Sequence, residues 1–132
     1  MKAYVVDPGE RVVNQVDFDG KEESIAGLIG SDSVAYEQFT GIQRVYHDFV
    51  SRDRVNRVYF AADADGNSDL PGFVIENTGG RVNHGNCLVV GFDVRSHEFA
   101  AAIDIRESIS HSLVPGKGAY SSCRKEAKLT RF

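Results

Sequence analysis

His84-Gly-Asn-Cys-Leu-Val-Val-Gly-Phe-Asp93 decides the fold of this chain, because its central run, Cys87 to Phe92, is apolar without alternation. A strand with one wet face alternates apolar and polar residues, so an unbroken apolar run bounded by turn residues predicts a strand covered on both faces. Upstream, Val55 to Ala61 sets Val58 and Phe60 against Arg57 and Tyr59, the pattern of a half-buried strand. Between the two lies Asp63-Ala-Asp-Gly-Asn67, a turn signal because Gly66 takes positive φ without a steric cost. Phe73 to Ile75 is then expected to return as the strand paired with Val55 to Ala61.

Outward from this centre, Lys2 to Val6 and Arg11 to Phe18 read as strands joined by the turn Asp7-Pro-Gly-Glu10, an N-terminal hairpin. Asp19-Gly-Lys-Glu22 has the form of a capping box, Ile25, Leu28 and Ile29 share one helical face, and Gly30 suits the left-handed residue that ends a helix. Val34 to Phe39 and Arg44 to Val50 are strand-like, and Glu98 to Ile103 adds an edge strand. Asp104-Ile-Arg-Glu107 repeats the capping pattern, with Ile105, Ile109 and Leu113 on one helical face, which predicts a second helix over 105–114 stopped by Pro115-Gly116. The expected architecture is α+β, a mainly antiparallel sheet with two short helices. It forms a single domain over 1–116, and residues 117–132 follow as a basic, mobile C-terminal tail.

Composition bounds the function. A chain of 132 residues with 42% hydrophobic and 26% charged residues has the make-up of a globular protein that buries one core without disulfide or metal staples. No apolar run approaches the ~20 residues of a membrane helix, and Met1-Lys-Ala-Tyr-Val-Val-Asp-Pro8 lacks a signal-peptide core, so no membrane partner is expected. Cys87 and Cys123 show no paired spacing and are read as reduced thiols. A net charge of −4 argues against a surface built wholly for nucleic acid, because affinity for a phosphate backbone comes from neutralising it with Lys and Arg.

Four pieces stand in order along the first two thirds of the chain: Lys2-Ala-Tyr-Val-Val-Asp-Pro8 with Val12 to Phe18, Ile25-Ala-Gly-Leu-Ile-Gly30, Val58-Tyr-Phe60 with Asp63-Ala-Asp-Gly66, and His84 to Asp93. In that order and spacing, Met1 to about Val94 resembles a family of small proteins of unknown function encoded by bacteriophages, plasmids and other mobile elements. The resemblance implies a setting rather than an activity: a small accessory protein acting in the cytoplasm of a bacterial host cell. Ser96 to Phe132 has no counterpart in it.

The candidate sites are thin. Asp63, Asp65, Asn67 and Asp69 alternate like calcium ligands, but the first ligand position falls on Ala61 and the bidentate twelfth on Gly72, so a solvated turn is the favoured reading. His84 and Cys87 have the spacing of half a zinc site and no second pair beside them, which favours a turn before the core strand and a buried thiol. No nucleophile elbow, phosphate loop or dinucleotide fingerprint is present, and no catalytic residue, metal or cofactor is assigned. Arg44, Arg52, Arg54 and Arg57 gather around Tyr46, Phe49 and Tyr59, the mix of cations and aromatics that nucleic-acid and anion sites use. Lys117, Arg124, Lys125, Lys128 and Arg131 make the tail basic.

The expectation is a non-enzymatic binding protein that contacts a host or phage protein through a sheet edge or the C-terminal segment, a class that inhibition of a host defence system would fit. A homodimer through an exposed edge is expected from the same physics. The alternative is a nucleic-acid-associated module built on the two basic groups, with weak, salt-sensitive affinity. A third reading, a small hydrolase or metal-dependent enzyme, requires His47, His84, His97 or His111 to converge with a carboxylate.

Overall fold

The computed structural model describes residues 1–39, 54–75, 81–102, 105, 109–112, 120–122, 124–126 and 129–131. In chain order the elements are β1 (Lys2–Asp7), β2 (Val12–Asp17), α1 (Glu23–Ile29), β3 (Val34–Phe39), β4 (Arg54–Ala61), β5 (Gly72–Ile75), β6 (Val82–His84), β7 (Cys87–Asp93), β8 (Glu98–Ala100), β9 (Ile109–Ser112), β10 (Tyr120–Ser122), β11 (Arg124–Glu126) and β12 (Leu129–Arg131). Every strand pairing among them is antiparallel. The expected mainly antiparallel α+β class is therefore what the chain forms.

An eight-stranded sheet runs β11-β12-β2-β1-β7-β4-β3, with β8 hydrogen-bonded to β7 beside β1. A second sheet of four strands runs β10-β9-β5-β6. β7 lies inside the larger sheet, with six consecutive buried residues from Cys87 to Phe92, as the unbroken apolar run requires. The alternation of a strand then divides the core. Cys87 and Val89 join Tyr4, Val6, Val13, Val58 and Phe60 on the face that packs against Phe73, Ile75 and Ile109 of the smaller sheet. Leu88 and Val90 join Ala3, Phe18 and Tyr59 under Ile25 and Ile29 of α1.

Gly91 lies where β8 leaves β7. A Cβ on it would stand 2.5 Å from the Ala101 carbonyl oxygen, so only glycine lets the two backbones approach there.

Three local readings need correction. β4 does not pair with β5: β4 is bonded to β3 and β7, while β5 pairs with β6 and β9 in the other sheet. The acidic turn is thus not a hairpin loop but the passage from one sheet to the other, and Gly66 does take positive φ in it. The helix expected over 105–114 is absent where the chain is described, because Ile109–Ser112 is β9, with Ile109 opposite Ile75. Spacing of four suits an isolated helix, but pairing with β5 satisfies the same backbone groups and buries Ile109 in the shared core. α1 itself is present but starts later than a capping box at Asp19 predicts. Its N-cap is Glu22, without a side-chain cap, while Asp19 accepts hydrogen bonds from Lys21 N at 2.9 Å and Ser24 Oγ at 2.6 Å. Those bonds, led by the one from Ser24, hold the Asp19 carboxyl below its ordinary range. Gly30 ends α1 in the left-handed region as expected.

Within 117–132 the backbone forms β10, β11 and β12; β12 is bonded to β2 and β10 to β9. The segment Arg44 to Val50 and residues 106–108 and 113–114 of the expected second helix lie outside the described residues. Among the described residues no helix is long and apolar enough to cross a membrane.

Candidate functional site

Of the sequence-predicted basic residues, Arg57 on β4 is held by neighbouring strands on both sides. It lies on the α1-facing side of β4, in register with Gln38 of β3 and Val90 of β7. Its guanidinium carbon sits 4.2 Å from the centroid of the Tyr36 ring and 3.5 Å from that of Phe92. Two π systems therefore lie against the cation, an arrangement that attracts it electrostatically. Two further contacts fix its rotation: Nε donates to Gln38 Oε1 at 3.1 Å and Nη1 donates to the Tyr59 hydroxyl at 3.0 Å.

The rings continue inward. Tyr36 meets Tyr59 at 5.2 Å, Tyr59 meets Phe99 at 6.0 Å, and Phe99 meets Phe92 and Phe18 edge-on at 5.7 and 5.1 Å. This ladder anchors Arg57 to the apolar layer beneath α1, while its outer rung, Tyr36, is 49% exposed. Burial raises the Tyr59 phenol above its ordinary value, and the bond from Arg57 partly opposes that rise. Among the described residues no carboxylate pairs with Arg57. A guanidinium has five N–H donors, and the described residues engage two of them, at Nε and Nη1.

Among the described residues, the basic positions of the C-terminal segment lie apart from it along the sheet. Arg54 stands at the start of β4 opposite Asp93, while Arg124, Lys125 and Arg131 lie on β11 and β12 at the far edge of the same sheet. β2, β1 and β7 separate β12 from β4, a span of about 19 Å at ~4.8 Å per strand. Arg44, Arg52, Lys117 and Lys128 lie outside the described residues. No single basic patch is assembled from the described members.

A second constellation had no signal in the sequence beyond an isolated arginine. Arg81, just before β6, bonds Glu37 Oε2 at 2.7 Å and Asp65 Oδ1 at 2.6 Å, with its guanidinium 5.0 Å from the Phe60 ring centroid. Its Nε also approaches Asn83 Oδ1 at 3.4 Å, a contact secondary to the shorter one with Glu37. The site is a clasp between the two sheets, with its positive charge already matched by two carboxylates.

The metal candidates are occupied by the protein's own groups. Asp65 serves Arg81, and Asn67 Oδ1 accepts from Asp69 N at 3.1 Å, as a turn-forming side chain does. His84 Nδ1 is 3.1 Å from the Leu70 carbonyl oxygen. Cys87 is fully buried, its Sγ directed to Gly85 O at 3.5 Å, and burial pushes its thiol up to about 12. His97 stands in the β7–β8 turn with φ 59°, its ring 6.4 Å from Phe92, at one side of an open groove of ≈ 530 Å³ beside Asp19, Glu22 and Glu98. Among the described residues no three His, Cys, Asp or Glu side chains converge as metal ligands do.

On the other side of β4 from Arg57, Asn56 is 1% exposed, and among the described residues neither atom of its side-chain amide has a hydrogen-bond partner. No family model, curated protein or solved structure matches this chain.

Proposed function

We propose that this chain is a non-enzymatic accessory protein of a bacteriophage or other mobile element, acting in the bacterial cytoplasm by binding a protein of the host or the phage. Interference with a host defence system fits this class of protein, although no residue demands it. The observation that carries the binding reading is the Tyr36–Arg57 stack. Tyrosine and arginine dominate the energetics of protein interfaces because each offers large, rigid contact area and directional donors. Here the pair is ordered before any partner arrives, so little side-chain entropy remains to be lost on association.

The separation of the described basic residues between β4 and the β11–β12 edge, together with the net charge of −4, weighs against a phosphate-backbone track. For the enzyme reading, the described residues offer His97, which lines an open groove with Asp19, Glu22 and Glu98, and no three ligand side chains that converge as a metal site needs.

The test is a photo-crosslinking amino acid in place of Tyr36, expressed in bacterial cells, with Gln15 on β2 as the control position. A crosslinked host or phage protein at Tyr36, absent at Gln15 and lost with Arg57→Ala, is the expected result. Crosslinks to nucleic acid, or none above the control, sink the reading.

A further inference from the structure

The hydrogen-bond phase of β3 is set by its first pair. Ala62 N donates to Ser33 O at 2.9 Å, and the β3–β4 register runs on without a break from Val34 opposite Ala61 to Phe39 opposite Asn56. In an antiparallel ladder, bonded pairs alternate with non-bonded pairs. Ala35 and Glu37 therefore bond to β4, whereas Val34, Tyr36 and Gln38 turn their N–H and C=O groups away from it. The side chains agree with that phase. Non-bonded pairs bring side chains closer, and it is Tyr36 that stacks on Tyr59 at 5.2 Å and Gln38 that bonds Arg57 at 3.1 Å. Among the described residues no strand takes up the outer edge of β3.

Edges are usually blunted by proline, lysine, a bulge or an unpaired charge. Val34-Ala-Tyr-Glu-Gln-Phe39 has none of the first three, and the carboxylate of its one charged residue, Glu37, is held by Arg81 at 2.7 Å. From this geometry we infer that a second copy of this chain adds to β3, antiparallel about a two-fold axis at Tyr36, joining two eight-stranded sheets into one.

The strand is self-complementary in that register. Val34 faces Gln38 of the second copy, Ala35 faces its Glu37, and Tyr36 meets its own twin, so the carboxylate never opposes itself. The two-fold also closes the assembly, because each copy has used its β3 edge once the pair forms. Tyr36, the most exposed large hydrophobic side chain described, gains cover from its counterpart. An edge of six residues buries less than a standard interface of about 1,600 Å², so the association is expected in the micromolar range.

The inference concerns the purified chain alone, so it stands or falls apart from the host-partner reading. Sedimentation velocity from micromolar to near-millimolar protein is expected to show 14.5 kDa rising to twice that mass. Amide exchange followed by NMR over the same range is expected to slow at Val34, Tyr36 and Gln38, while Ala35 and Glu37 are protected throughout. Tyr36→Lys sets two ammonium groups together at the axis, and Gln38→Pro removes an N–H that makes no bond within the monomer. Each is expected to weaken association at least about tenfold, whereas Gln15→Lys on β2 leaves it unchanged. A monomer at every concentration overturns the inference, as does a dimer whose protected amides lie elsewhere or whose affinity survives both substitutions. If a variant fails to fold by circular dichroism, the amide pattern of the unaltered chain decides alone.

Discussion

Arg81 reaches out of the four-stranded sheet to place its Nε 2.7 Å from Glu37 Oε2 on β3 of the larger sheet. The same guanidinium holds Asp65 at 2.6 Å, so one residue ties both sheets to the turn between them. These side chains are 28–48% exposed, and solvent screening limits the pairs to about 1 kcal/mol together. Arg81→Ala is expected to lower the melting temperature by roughly 3–5 °C, less in high salt, with Arg81→Lys intermediate because an ammonium cannot serve two carboxylates through a planar fork. An unchanged melt for Arg81→Ala refutes the clasp.

Val90 is fully buried between β1, β4 and α1, and an aspartate there has no partner for its charge. Val90→Asp is expected to cost more than about 4 kcal/mol and to unfold the chain or make it insoluble, while Lys21→Ala, at an exposed position, changes little. Equal urea midpoints for the two variants would show that β7 is not the central strand.

Burial lifts the Cys87 thiol from an ordinary 9.0 to about 12, so the native chain at pH 8 holds about a thousandfold less thiolate there than an exposed cysteine. Iodoacetamide at pH 8 is expected to leave Cys87 unmodified until denaturant is added, as peptide mapping would reveal. Linkage gives the sign for stability. A group whose pKa is raised by folding contributes stability below its unfolded value that is lost as pH climbs through the folded one. The melting temperature is therefore expected to fall between pH 9 and 12, and Tyr59, also raised by burial, acts in the same direction. Rapid labelling of native Cys87 would contradict its burial.

The buried amide of Asn56 finds no hydrogen-bond partner among the described residues, a desolvation cost of about 1–3 kcal/mol that an apolar side chain of similar volume avoids. Asn56→Leu is expected to raise the melting temperature by a few degrees. A drop instead would mean that the amide holds a water or ligand needed by the fold.

What the sequence disclosed follows from which forces are local. Cys87 to Phe92 was legible because no other element needs so continuous an apolar run, and Gly30 because positive φ is a property of one residue. The pairing of β5 was not, since Asp65-Gly66 specifies a turn but not the sheet to which the chain returns. Ile105 and Ile109 carried a helical spacing that β9 overrode once Ile75 offered a partner. Arg57 stood out by its aromatic neighbourhood, yet the rings that hold it, Tyr36 and Phe92, come from other strands. Arg81 was invisible, because a lone arginine gives no sign of the carboxylates that folding brings to it.

β1 is bonded to β2 on one side and to β7 on the other, and that second partner is made only after more than half the chain has been synthesised. During translation the N-terminal hairpin lacks the later residues of its core, Phe73, Cys87, Val89 and Ile109 among them, and the larger sheet cannot close until Cys87 to Val89 has left the ribosome. Such distant pairing must overcome loop-closure entropy before any contact rewards it, which makes folding slow and late for a domain of this size. The nascent chain thus passes through a period in which its first strands are exposed to other proteins, and its yield in a cell depends on how quickly β7 arrives.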